Sequence, residues 1–165
     1  MLDKLAVIRK KILDIDQLQN ALVTWRLMSQ KIVFTNGCFD VLHAGHVISL
    51  AGAASFGNRL IVGVNSDAST RRLKGKSRPI QDEDGRALLL ASMHFIDAVI
   101  IFEEDTPEKL IQAISPNVLV KGGDYRVEDI AGADWVIKHG GKVELINYLE
   151  NSSSSNIIKK IKESL

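Results

Sequence analysis

The sequence predicts an α/β domain: a five-stranded, doubly wound parallel sheet with flanking helices. Three observations predict it. Five short apolar runs rich in Val and Ile recur along the chain, as strands buried on both faces require. Segments of helical spacing separate them, so β and α elements alternate. Glycine, proline and capping residues punctuate the boundaries.

In chain order, residues 1–29 show helical spacing at Leu5, Ile8 and Ile12, then at Leu18, Leu22 and Trp25, with Asp16 as N-cap of the second piece. They read as an N-terminal helical extension of one or two helices, and residues 30–165 as the domain proper. The predicted strands are Ile32–Thr35, Leu60–Val64, Ala98–Phe102, Val118–Val120 and Val143–Ile146. Helices are expected near 45–56, 83–95, 107–114, 127–138 and 154–164. Gly57 and Gly140 stand where helix C-caps belong, and Thr106-Pro107 reads as a cap followed by proline at the first helical position. Right-handed crossovers place every strand C-terminus, with its loop, along one edge.

Composition narrows the class. Of 165 residues 45% are hydrophobic and 25% charged, which is ordinary for a globular domain and enough to bury a core. The net charge of +1 gives no global case for nucleic acid or anionic membrane. A single cysteine, Cys38, rules out an intrachain disulfide framework and fits a reducing compartment. No apolar run reaches transmembrane length, and Met1-Leu2-Asp3-Lys4-Leu5 lacks the apolar block of a signal peptide. The expectation is a cytoplasmic protein.

The chemistry concentrates at the sheet edge. After the first strand comes Asn36-Gly37-Cys38-Phe39-Asp40-Val41-Leu42-His43-Ala44-Gly45-His46. Two imidazoles and a glycine thus stand over a helix N-terminus at the C-terminal end of a strand, where α/β sheets bind phosphate. A polar helix cap is the plain alternative. A zinc site of Cys38, His43 and His46 is another, and it needs a fourth ligand or an open position. After the second strand, Arg71, Arg72, Lys74, Lys76 and Arg78 surround Gly75 and read as a solvated loop or as a mobile basic lid over phosphates. Lys121-Gly122-Gly123-Asp124-Tyr125 follows the fourth strand as a tight turn or a nucleotide floor. Ser152-Ser153-Ser154-Ser155 precedes the last helix as a flexible stretch or a second anion cradle. Arg86, close to Asp82, Glu83 and Asp84, reads as a surface ion pair or as a planar fork for phosphate. His94 and His139 look structural.

The Asn36–His46 stretch resembles the first motif of the cytidylyltransferase-like nucleotidyltransferases. Further segments resemble the branch of that family that adenylylates heptose 1-phosphate: Asn65–Thr70, Leu73-Lys74-Gly75, Ser77-Arg78-Pro79, Phe102–Pro107, Leu119–Tyr125 and Asn156-Ile157-Ile158. The resemblance covers about Lys31 to Ile161 and implies a Rossmann-like fold. It implies catalytic roles for His43, His46 and Lys76. It implies nucleotide-binding roles for Phe39, Asp40, Gly45, Lys74, Arg86, Gly123, Asp124, Ser153 and Ser154, with serine where the last motif usually has threonine. The implied reaction moves AMP from ATP to D-glycero-β-D-manno-heptose 1-phosphate, giving ADP-heptose and pyrophosphate for lipopolysaccharide or other surface glycans. Mg²⁺ would travel with ATP, with no protein ligand of its own, and a homodimer is expected. Many relatives are fused to a sugar kinase; none lies in this sequence, so the resemblance implies the stand-alone form. Glycerol-phosphate relatives carry an arginine where this chain has Tyr148 and Leu149, which argues against that acceptor. The rival readings are a cytidylyltransferase acting on glycerol 3-phosphate or another alcohol phosphate, and a non-catalytic nucleotide sensor.

Overall fold

The computed structural model describes residues 3–123, 125–146 and 154–164. Two helices open the chain, α1 (Lys4–Arg9) and α2 (Ile15–Leu27). The N-cap of α2 is Asp14 rather than Asp16. Asp14 forms a reciprocal capping box with Gln17: its carboxylate accepts the Gln17 N–H at 2.8 Å, and its own N–H donates to Gln17 Oε1 at 3.1 Å. Asp16 has Gln19 three residues on, but that amide reaches away to donate to Ala113 O at 2.9 Å. Residues 11–13 bridge to Val99, and Leu18 and Leu22 are fully buried in the central core, so these helices belong to the body of the domain.

The sheet contains β1 (Ile32–Gly37), β2 (Arg59–Asn65), β3 (Ala98–Phe102), β4 (Val118–Gly122) and β5 (Lys142–Ile146), in the order β3-β2-β1-β4-β5. Every pairing is parallel, with Phe34 opposite Ile61 on one side and Leu119 on the other. All five strands were legible in the sequence, within two residues at each end. The remaining helices are α3 (Ala44–Ala54), α4 (Asp67–Lys74), α5 (Glu83–Ala91), α6 (Glu108–Ile114), α7 (Ala133–Lys138) and α8 (Ser154–Glu163). Strand alternation sorts the core into two layers. Ile32, Phe34, Ile61, Ile100 and Leu119 meet α2, α6 and α7, while Val33, Val62, Val64, Val99 and Val120 meet α3 and α5. Each fully buried Leu, Ile or Phe contributes about 1.5–3 kcal/mol of transfer free energy.

Several boundaries differ from the sequence reading. The helix expected over 83–95 stops at Ala91, because Ile96 turns fully into the core to lead β3. The stretch 127–138 divides into a 3₁₀ turn, Val127–Asp129, and α7, parted by Gly132 at φ +83°. α6 starts one residue late, with Pro107 at the N-cap position. Gly140 does cap α7: at φ +82° its N–H bonds Ile137 O while Gly141 N–H bonds Val136 O, a Schellman motif. The C-cap of α3 is Ser55 rather than Gly57, whose N–H bonds Ala54 O at 3.4 Å; glycine is needed at 57 because a Cβ there would lie 2.6 Å from Lys31 O.

The largest correction concerns the basic segment. Residues 67–74 form α4, not a loop. Ser66 accepts the Ser69 N–H at 3.1 Å as N-cap, Asp67 occupies the first turn, and Arg71, Arg72 and Lys74 the last. That charge order suits the helix dipole. Gly75, at φ +95°, ends the helix, so only the residues beyond it are loop.

Candidate active site

With β2 and β3 to one side of β1 and β4 and β5 to the other, the chain reverses direction across the sheet between β1 and β4. At such a switch point the outgoing loops diverge and leave a crevice at the strand C-termini. The turn after β1 and the end of β4 flank this crevice.

β1 ends in Asn36-Gly37 and enters the turn Cys38-Phe39-Asp40. Phe39 has φ +49°, a left-handed conformation that costs a non-glycine residue about 1–3 kcal/mol and persists only where its surroundings hold it. Two side chains do so. Arg86 is fully buried, donating from Nη1 to Cys38 O, from Nε to Gln81 O at 3.0 Å and from Nη2 to Asp67 Oδ1 at 2.7 Å. Asp40, whose side chain is 1% exposed, accepts from Arg78 Nε and from the N–H groups of Ile80 and Gln81 at 2.6 and 3.0 Å. This corrects the expectation that Arg86 presents a fork to phosphate, since its fork is committed to protein groups. Asp40 likewise faces the loop after α4 and not the crevice.

The turn delivers the histidines. The Phe39 ring lies over Gly37, where a Cβ would sit 3.2 Å from it, and meets the His46 ring at 5.5 Å and 61°. His43 occupies the N-cap position of α3, yet its side chain makes no cap hydrogen bond, which disposes of the plain cap reading. Buried Gly45 follows in the first turn. The two imidazoles lie 3.9 Å apart, tilted by 34°. Their Nδ1 atoms are buried without a hydrogen-bond partner among the described residues. Burial, and then the neighbouring His43, push His46 down to about 4; burial also lowers His43. At neutral pH both rings are therefore uncharged, each with one N–H to donate. Among the described residues no three His, Cys, Asp or Glu side chains converge as a metal-ligand set.

The basic residues divide by what they touch. Arg72 pairs with Asp105 at 2.7 Å and Arg78 with Asp40. Lys74 and Lys76, on either side of Gly75, are exposed and form no ion pair among the described residues. Gly123 follows β4 at φ +115°, and its N–H bonds Ile146 O at 3.0 Å. Ser154 opens α8 and donates from Oγ to Val41 O at 2.9 Å, tying that helix to the histidine loop. Asp124, Ser153, Tyr148 and Leu149 lie outside the described residues.

Sequence reasoning missed Lys121 as an individual residue. At the end of β4 it is half-buried, donates from Nζ to Asn36 Oδ1 at 3.3 Å, and lies 6.0 Å from the centre of the Tyr125 ring. Its signal was a lysine closing the apolar run Val118-Leu119-Val120 at the functional edge.

Comparison with known proteins agrees with this geometry. The chain is 53% identical over 145 residues to the bifunctional protein HldE of Nitrobacter hamburgensis, across 88% of this chain and 30% of that protein. It is 51% identical over 156 residues to HldE of Wolinella succinogenes, across 94% and 32%. The chain thus spans about a third of the length of these relatives. The crystal structure of the lipopolysaccharide core biosynthesis protein from Thermoplasma volcanium superposes with a TM-score of 0.59 at 28% identity, covering 74% of this chain and 99% of that one. Pantoate-beta-alanine ligase from Francisella tularensis, at 18% identity and TM-score 0.57 over 92% of this chain and 76% of that one, shares the fold. A family model described as cytidylyltransferase-like matches residues 34–160. Because that span runs from the middle of β1 into α8 and takes in every loop of the crevice, the chain belongs to the cytidylyltransferase-like family.

Proposed function

We propose that the chain transfers AMP from ATP to D-glycero-β-D-manno-heptose 1-phosphate, releasing pyrophosphate and forming ADP-heptose for lipopolysaccharide or another surface glycan. The observation that carries the reading is the pair of neutral imidazoles with unpartnered nitrogens, held at the N-terminus of α3 beside the sheet's switch point. The motif resemblance from Leu73 to Tyr125 supports heptose as the acceptor.

An acceptor phosphate is already ionised at neutral pH, so the reaction needs no strong base. One of its oxygens bonds to the α-phosphorus of ATP while the bond from that phosphorus to the bridging oxygen breaks. Pyrophosphate leaves with the electron pair, and no covalent enzyme intermediate forms. The protein's task is to hold two anions in line and stabilise charge where it develops. His43 and His46 donate to the phosphate oxygens, while Gly45 keeps the start of α3 open to close approach. Lys74 and Lys76 neutralise the departing pyrophosphate. Arg86 and Asp40 keep the histidine loop in its strained form. Mg²⁺ would travel with ATP, carried by phosphate oxygens and water, and would supply charge neutralisation when bound. Gly123, Asp124, Ser153 and Ser154 are assigned to the nucleotide on the motif resemblance. We also infer a homodimer, using the exposed Val23, Leu27 and Met28 of the α2 end, in the cytoplasm.

The test is pyrophosphate release with ATP or CTP, crossed with heptose 1-phosphate and glycerol 3-phosphate. ATP with heptose 1-phosphate should give the highest kcat/KM by orders of magnitude, since a site built for several hydroxyls rejects an acceptor lacking them. His43→Ala and His46→Ala should each lower kcat by about a hundredfold or more, with a much smaller change in ATP affinity. A preference for CTP and an alcohol phosphate would refute the assignment, as would binding without turnover.

A further inference from the structure

We propose that Lys121 holds the phosphate of the acceptor, on the face of β1 opposite the histidine pair. The inference rests on the adenylyl transfer proposed above and adds to it the subsite for the second substrate.

Strand alternation places Lys121. Side chains two apart share a face, so Asn36 projects with Phe34 and Lys121 with Leu119, toward the α2, α6 and α7 layer. The hydrogen bond from Lys121 Nζ to Asn36 Oδ1 confirms that the two side chains meet there. His43 and His46 ride on α3, which packs against the other face through Leu50 and Ala53. The crevice therefore has donors on two sides: imidazoles over one face of β1 and an ammonium over the other.

The chemistry of Lys121 points to an anion. An ammonium carries three donors. Here one meets a neutral amide oxygen at 3.3 Å, the ring of Tyr125 lies 6.0 Å off, and no described carboxylate forms an ion pair with it. Burial lowers its pKa, Cys38 opposes part of that shift, and the charge of Lys74 lowers it slightly further. A phosphate in the crevice would reverse both costs at once.

The reaction's geometry selects which phosphate. In-line displacement puts the attacking and leaving oxygens on opposite sides of the α-phosphorus. If the start of α3 and its histidines receive the pyrophosphate, the attacking group approaches from the other face, where Lys121 stands. Lys121 keeps its proton throughout. It neutralises and orients the acceptor phosphate, whose oxygen forms the new bond to phosphorus as pyrophosphate leaves.

Lys121→Met keeps the stem of the side chain and deletes the charge, and Lys121→Arg restores a cation. With ATP saturating, Lys121→Met should raise KM for heptose 1-phosphate by about ten- to hundredfold, the scale of one charged hydrogen bond. KM for ATP should stay within about twofold, and Lys121→Arg should recover much of the loss. The ATP constant doubles as a check on folding. An equal or larger rise in KM for ATP, or no change in either constant, overturns the proposal. Should the wild-type protein turn over no sugar phosphate, the adenylyl-transfer reading fails on its own account. The subsite is then judged by calorimetry of inorganic phosphate binding to the protein loaded with Mg²⁺ and a non-hydrolysable ATP analogue. Loss of that binding in Lys121→Met upholds it; equal binding by both proteins, or none by either, overturns it.

Discussion

Replacing Arg86 by methionine would test how the histidine loop is held. Arg86 is fully buried and serves three acceptors: Cys38 O, Gln81 O and the Asp67 carboxylate, whose side chain is 21% exposed. Methionine fills the space of the stem and supplies no donor. Removing one partner of a buried ion pair costs about 3–5 kcal/mol, chiefly because the other charge is stranded. Asp67 keeps some contact with water and lies in the first turn of α4, so the pair itself belongs at the low end of that range. Each orphaned buried carbonyl adds about 1–3 kcal/mol where water cannot reach it. A total of about 5 kcal/mol is a large part of the 5–15 kcal/mol typical of a domain, and would lower Tm by roughly 10–20 °C at this size. Urea denaturation followed by circular dichroism reads it directly. Arg86→Lys should recover less than half, because one ammonium cannot span three diverging acceptors. In the folded fraction kcat should fall while ATP binding persists, since the strained Phe39 turn that aligns His46 loses one of its two holds. A variant within 1 kcal/mol of wild type, or with full kcat, would refute the account of Arg86 as the clamp of this loop.

The His46 imidazole should titrate near 4 in the ligand-free protein by NMR, and move upward when ATP binds; a midpoint near 6.5 without ligand would contradict its burial. Its folded pKa lies below the unfolded 6.5, so the unfolded chain takes up more protons between the two values. The stability linked to neutral His46 is thus full above pH 6.5 and is lost as the pH falls toward 4, and urea midpoints for His46→Gln should drop less steeply over that window. Trypsin should cut after Lys74 or Lys76, around the unhindered Gly75, more slowly with ATP and Mg²⁺ present; equal rates would count against closure of this arm over the phosphates. Lys76→Ala should reduce kcat by about tenfold or more with Tm unchanged, as expected for an exposed residue acting only in the transition state. Gly57→Ala should cost about 1–3 kcal/mol by urea denaturation, because the new Cβ would press on Lys31 O and Val33 Cγ2, both 2.6 Å away.

The sequence alone determined what depends on local pattern. Short Val- and Ile-rich runs specify buried strands wherever they lie, so all five were legible, and parallel order with right-handed crossovers brings their loops to one edge. His43, Gly45 and His46 were legible for the same reason: the run of Ile32–Phe34 and the helix after it place them without reference to the rest of the chain. Tertiary structure decided whatever depends on a distant partner. Arg86 and Asp40 carry the right chemistry for binding phosphate, and only folding shows them turned inward, 48 residues from Cys38 and 40 from Ile80, to clamp the loop that presents the histidines. A guanidinium reads alike in sequence whether it faces water or a buried carbonyl. The basic run looked like a loop because its charge masks the Ser66 cap and the favourable dipole order that make most of it helix. Lys121 became visible only when strand register set it against Asn36, since two residues 85 apart in the chain share an electrostatic environment only once β1 and β4 are neighbours.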